Sequence, residues 1–225
     1  KQSGFFMSLY PVCYFVSFTR ECPNFASTPL FELSIGTPRI CYYRLRGNTT
    51  LSEEIAMSPD SDVCIFAYGS NLHLRRITNR VPSAHPISAG YVAERRILFH
   101  KRSIDGSAKA DAFHTGDPDH RVWGAVYRMD SAEKPILDEY ESLGIGYDQE
   151  RVEVIVQGIA PIMAWIYVAR PAAIDASILP YSWYMNFIFM GALQHRLPLC
   201  YISQIGDVPS CRDPDSKRHH ENHMI

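Results

Sequence analysis

From residue 62 onward, apolar and polar positions follow regular periods. Val63-Cys64-Ile65-Phe66-Ala67 is an unbroken apolar run of strand length, readable as a buried strand. Tyr68-Gly69-Ser70-Asn71 follows it with turn chemistry, and residues 72–77 read as a short helix stopped before Pro82. The pattern predicts a strand over 91–100, a turn at 104–107, and strands over 108–115 and 122–129. Residues 131–142 predict a helix opened by Asp130 or Ser131, with Pro135 tolerated in its first turn. Val152, Val154 and Val156 alternate with polar neighbours as a half-buried strand, and 162–169 is another strand. Residues 180–195 predict an aromatic-rich helix closed by Pro198. A short helix follows over 198–205, and then a polar, frayed tail from Asp213. Strands dominate the middle, with helices between and after them, and the βαβα alternation of a doubly wound sheet is missing. The expected fold class is α+β, a small mixed β-sheet or barrel with flanking helices.

Residues 1–56 lack this regularity. They are rich in Phe and Tyr, poor in charge, and interrupted by Pro11, Pro23, Pro29 and Pro38. The apolar run 5–18 resembles a signal h-region, but no small-residue cleavage site clearly follows, and the run is too short and interrupted to span a bilayer. The expected organisation is an unassigned extension over 1–56, disordered or not native, with Met57 a candidate start. A folded domain over 57–215 and a flexible tail over 216–225 complete it.

Size and charge narrow the class. The 225 residues suit one or two domains at about 150 residues each. With 22 basic against 24 acidic residues the formal net charge is −2, so no bulk grip on nucleic acid or an anionic membrane is expected. The six cysteines form no C-x-x-C pair, and scattered single cysteines read as reduced thiols of a cytoplasmic protein. The histidines show no metal-ligand spacing, so no metal site is expected. P-loop, G-x-G-x-x-G and G-x-S-x-G motifs are missing.

Two segments are candidates for chemistry. Phe66-Ala67-Tyr68-Gly69-Ser70-Asn71 leaves a buried strand and enters a helix, a geometry that gathers backbone N–H groups able to bind a carboxylate or phosphate. Gly69 permits close backbone approach and positive φ, and Ser70 and Asn71 can cap the following helix. Leu137-Asp138-Glu139-Tyr140-Glu141 sets three carboxylates at a helix C-terminal end, where charge is disfavoured and pKa values tend upward, as suits a general acid or base.

These motifs resemble the γ-glutamylcyclotransferase family, including its bacterial AIG2-like members. Phe66–Leu72 is similar to the family's YGSNL loop, Val122-Trp123-Gly124-Ala125-Val126-Tyr127 to its W-G-V-V-Y strand, and Leu137–Glu141 to its L-D-x-x-E. Arg102–Lys109 resembles the turn of the bacterial relatives, and the resemblance spans about residues 63–215. Ser142 stands where relatives usually carry Gly, and Ile65 where some carry Tyr. The resemblance implies Glu141 as catalytic acid/base and Phe66, Ala67, Tyr68, Gly69, Ser70 and Asn71 as the substrate-binding loop, with Tyr147 and Tyr167 as further pocket candidates. It implies cyclisation of a small-molecule γ-glutamyl substrate to 5-oxoproline, a reaction that requires neither a metal nor an organic cofactor, and leaves a homodimer open. A ligand-binding module on the same fold, and an interaction protein built on the aromatic N-terminal part, are the other classes considered.

Overall fold

The computed structural model describes residues 62–223, and the expected extension over 1–56 lies outside them. Seven strands are β1 (Asp62–Ala67), β2 (His85–Ala93), β3 (Arg95–Arg102), β4 (Ala108–His114), β5 (Arg121–Asp130), β6 (Tyr147–Val154) and β7 (Ile162–Ala169). Five helices are α1 (Leu74–Arg80), α2 (Lys134–Tyr140), α3 (Ser182–Gln194), α4 (Leu199–Gly206) and α5 (Ser216–His223).

The strands form a five-stranded sheet in the order β2-β5-β1-β7-β6 and a separate β3–β4 hairpin. β1 runs antiparallel to β5 and parallel to β7. The sheet curls until its edges meet: Tyr91 of β2 and Ile155, just past β6, exchange both backbone hydrogen bonds at 3.0 and 2.8 Å. The architecture is α+β, a curled mixed sheet with flanking helices, as the pattern predicts. The apolar run of β1 becomes its centre, with Ile65, Phe66 and Ala67 buried. Tyr127 of β5 and Ile166 of β7 are fully buried beside them.

Several expected elements differ. The strand over 91–100 is two strands, because Glu94 takes φ 59° and turns the chain out of the large sheet into the hairpin. The charged run Glu94-Arg95-Arg96 interrupts the apolar pattern at this point, a signal that a single strand over 91–100 passes over. The helix over 131–142 is a 3-10 turn at Ser131–Glu133 followed by α2. Asp130 does cap it, accepting from Ala132 N at 2.8 Å. The expected frayed tail forms α5 over Ser216–His223. Asp213 anchors this helix by accepting from Arg218 at 2.6 Å and from Trp183 Nε1 of α3 at 2.8 Å. These partners are far apart in sequence, and only the folded chain supplies them. None of the helices among the described residues is long and apolar enough to cross a membrane.

Close backbone packing fixes the site-bearing loop against the rest. A Cβ on Gly124 of β5 would sit 2.4 Å from Ala67 O, and one on Gly191 of α3 would sit 2.7 Å from His73 N. Only glycine lets β5 and α3 approach this closely. Tyr127 donates its hydroxyl hydrogen to Leu72 O at 3.0 Å, and His195 Nε2 lies 2.6 Å from the same hydroxyl.

Candidate active site

β1 ends at Ala67, and the chain runs through Tyr68 and Gly69 into a 3-10 turn at Ser70–Leu72. This segment forms one wall of a cavity of about 220 Å³. The opposite wall comes from the end of α2 with Tyr140, Glu141 and Ser142, and the hairpin contributes Lys101, Asp105 and Lys109. All nine residues singled out from the sequence line this cavity: Phe66, Ala67, Tyr68, Gly69, Ser70, Asn71, Glu141, Tyr147 and Tyr167.

The loop's side chains point to different partners from those expected. Helix α1 begins only at Leu74, with His73 before it and no side-chain cap, so Ser70 and Asn71 do not cap it. The intervening 3-10 turn moves the helix start out of their reach. Ser70 Oγ instead accepts from Arg76 Nε at 3.0 Å. Asn71 bridges two walls, its Nδ2 donating to Glu141 Oε1 at 2.8 Å and its Oδ1 accepting from Arg80 at 2.8 Å. Gly69 has φ −91°, so the expected positive φ is not used. Its use is proximity, since a Cβ there would meet the Tyr184 hydroxyl at 3.2 Å. The N–H groups of Gly69, Ser70 and Asn71 find no acceptor among the described residues. Ser70 and Asn71 are buried and Gly69 is half-buried, and buried amide donors are almost always paired, so these three are suited to a ligand's oxygens.

Glu141 is the residue at the C-terminal cap of α2. Its Oε1 accepts from Asn71 and, at 3.0 Å, from Arg80 Nη1, while Oε2 has no partner among the described residues. One oxygen is anchored and the other is left for a ligand. Arg80 also lies over the Tyr140 ring at 4.8 Å, which fixes the guanidinium. The neighbouring carboxylates separate. Asp138 accepts from Tyr167 Oη at 2.6 Å and from Lys134, and Glu139 is exposed. Of the acidic triplet, the cavity takes only Glu141.

The tyrosines serve both core and pocket. Tyr68 Oη donates to Tyr167 O at 2.5 Å and Tyr147 Oη to Ala110 O at 2.6 Å. Burial pushes both phenols well above their ordinary pKa, Asp111 adding to this for Tyr68 and Tyr184 for Tyr147, so both hydroxyls stay protonated donors. Burial raises Tyr167 too, reinforced by its bond to Asp138.

Sequence reasoning missed the cavity's cations. Arg76 and Arg80 stand one helical turn apart on α1, Lys101 on β3 and Lys109 on β4. Their i, i+4 spacing was the available signal for the two arginines. Burial pulls Arg76 down to about 10 and Lys109 down to about 8, the latter offset in part by Asp105 at 2.7 Å. Lys109 Nζ also lies 4.7 Å from the ring centroids of Trp183 and Tyr184. Against Arg76, Arg80, Lys101 and Lys109 the wall sets only Asp105 and Glu141. The cavity is thus cationic in a chain of net charge −2.

The model of the AIG2-like family matches residues 121–205. Human γ-glutamylcyclotransferase is 30% identical over 151 residues, covering 64% of this chain and 77% of the relative. The bovine protein of that name is 28% identical over 163 residues, covering 69% of this chain and 84% of the relative. A solved γ-glutamyl cyclotransferase superposes with a TM-score of 0.65 at 28% identity, over 73% of this chain and 97% of that one. The chain belongs to the γ-glutamylcyclotransferase family.

Proposed function

We propose that the protein cyclises a γ-glutamyl compound to 5-oxoproline and releases an amino acid or amine, with Glu141 as the acid/base. The observation that carries this reading is the state of Glu141. Asn71 and Arg80 hold one oxygen, the other has no partner among the described residues, and Glu141 lines a cavity whose second wall is the Phe66–Asn71 loop. A carboxylate fixed in this way keeps its orientation while its second oxygen exchanges a proton.

The chemistry follows from the substrate's own shape. Its α-amine and γ-carbonyl belong to one short chain, so attack closes a five-membered ring. Holding the two ends in the reactive conformation is worth effective molarities of about 10⁵–10⁸ M. Glu141 takes a proton from the α-ammonium. The amine lone pair then forms the new C–N bond at the γ-carbon, and the carbonyl electrons move to oxygen. Glu141 passes that proton to the departing nitrogen and takes the second from the new ring nitrogen. As the carbonyl re-forms the old C–N bond breaks, and the released amine takes that second proton from Glu141 and leaves as an ammonium. Atoms and charge balance with no further reactant. The unpaired amides of Gly69, Ser70 and Asn71 are suited to the α-carboxylate or to the developing oxyanion. Tyr147 and Tyr167 line the pocket as binding residues. We read residues 57–215 as the catalytic domain. Cys64, Cys200 and Cys211 have no disulfide partner among the described residues, which fits the reducing, cytoplasmic setting we propose.

The test is 5-oxoproline release from γ-glutamyl amino acids and γ-glutamylamines by the wild type and by Glu141→Gln. The amide keeps the bond network's shape but cannot take the proton, so turnover should fall by about 10²–10⁴-fold while the melting temperature stays close to wild type. Activity above about a tenth of wild type would remove Glu141 from the role. Tight substrate binding with no product from the wild type would favour a ligand-binding module.

A further inference from the structure

The cavity holds more positive charge than cyclisation of the γ-glutamyl half needs. Arg76 is tied to Ser70, Arg80 to Asn71 and Glu141, and Lys109 to Asp105 and Ser107. Lys101 differs. It is only 7% exposed, lines the cavity, and has neither a carboxylate nor a hydrogen-bond acceptor at Nζ among the described residues. Its ammonium stands 4.7 Å from the Tyr147 ring centroid.

Two features of the backbone put it there. The pairing of β3 with β4 shifts register between Phe99 and Lys101, so His100 is an extra residue and the bulge sets Lys101 directly opposite Lys109. Opposed residues of an antiparallel pair share a face, and like charges at such positions destabilise the pair. Bulges of this kind re-aim side chains beside active sites. The second feature is Gly146, where a Cβ would stand 2.6 Å from Lys101 Cε and 2.7 Å from Nζ. Glycine leaves the room that the ammonium fills. A buried lysine that only the more distant Glu141 and Asp105 offset, opposite a second lysine, is unfavourable in the protein alone, and a bound anion would reverse the sign of that interaction.

We propose that Lys101 is a specificity-determining residue that binds a carboxylate on the leaving group, so that the enzyme prefers γ-glutamyl amino acids to γ-glutamylamines. This rests on the cyclisation reading above. The γ-glutamyl half has its own carboxylate, for which the unpaired loop amides of Gly69, Ser70 and Asn71 are available. Lys101 Nζ packs instead against Gly146, in the turn that follows Glu141. A leaving nitrogen within reach of Glu141 carries its carboxylate only two bonds further on, towards that turn. Charge agrees: the named wall residues leave two positive charges in surplus, whereas a γ-glutamylamine is neutral overall and a γ-glutamyl amino acid is an anion.

The experiment compares γ-glutamyl-alanine with γ-glutamyl-ethylamine, which differ by the one carboxylate, using the full chain. The wild type should favour γ-glutamyl-alanine in kcat/KM by about 10- to 100-fold, the size of a hydrogen bond to a charged group. In Lys101→Met that ratio should collapse towards one, mainly through a higher KM for γ-glutamyl-alanine. The melting temperature should not fall, because the substitution relieves the repulsion with Lys109. Gly146→Ala displaces the ammonium without removing its charge and should lower the ratio in the same direction. Equal losses on both substrates in Lys101→Met would overturn the proposal, as would an unaltered ratio. If neither compound is cyclised, calorimetry separates the two ideas. Tighter binding of γ-glutamyl-alanine that disappears in Lys101→Met would uphold the carboxylate site and sink the cyclisation reading, and equal or absent binding would overturn the proposal.

Discussion

Ser142, directly after Glu141, adopts φ 55°. Its amide donates to Glu139 O, and its carbonyl accepts from Ile145 and Gly146, so the left-handed conformation is fixed by the turn that ends α2. A side chain in that conformation costs about 1 kcal/mol relative to glycine. Ser142→Gly should therefore raise the melting temperature by about 2–4 °C, with cyclising activity retained. A thermal melt beside a product assay checks both, and a lower melting temperature would show that the hydroxyl makes a compensating contact. The sequence already marked this position as one where relatives usually carry Gly. The reason is conformational: the C-terminal cap of α2 needs a residue tolerant of positive φ if the turn is to leave Glu141 facing the cavity.

At the scale of elements, the most informative case is α5. From sequence it is a short polar stretch with little reason to be helical. It is tied to α3 through Asp213, which accepts from Arg218 and from Trp183 Nε1. The bonds from Arg218, helped by the one from Trp183, hold the Asp213 carboxyl at about 2, below its ordinary 3.8. With the folded pKa depressed, the folded state binds fewer protons, so the contribution to stability is present above the ordinary pKa and is lost as pH falls from about 4 to 2. Asp213→Asn should destabilise the protein at neutral pH, and the gap from wild type should close over that acid range. Denaturant unfolding at a series of pH values tests this, and a gap independent of pH would mean that shape rather than charge secures α5. The hairpin gives the complementary case. In the pattern of 91–100 the charged run Glu94-Arg95-Arg96 marks the turn, but nothing marks the bulge at His100; the turn sends β3 out of the large sheet and the bulge brings Lys101 opposite Lys109.

For the whole molecule, the described residues all lie within one compact unit, which contains every residue of the cavity. A chain of residues 57–225 should accordingly fold and cyclise substrate at a rate close to that of the full chain. Loss of both solubility and activity on removing 1–56 would instead favour a role for the aromatic N-terminal part. Sequence alone determined the class of fold and the candidate loop and carboxylate, because strand and helix periods, turn residues and local motifs are short-range properties written in consecutive side chains. The loop 66–71 and the motif 137–141 were legible for that reason, and so was the singling out of Glu141 once the family resemblance was noticed. Only the tertiary structure decided which groups meet. It closed the sheet at Tyr91 and Ile155, joined Asn71 to Glu141 across 70 positions, and turned Asp138 away to Tyr167. It also gathered Arg76, Arg80, Lys101 and Lys109, from one helix and two strands, around one cavity. In sequence those four are ordinary basic residues of a nearly neutral chain. Their meaning comes from burial and from the shortage of carboxylates beside them, and both are set by packing between elements distant along the chain.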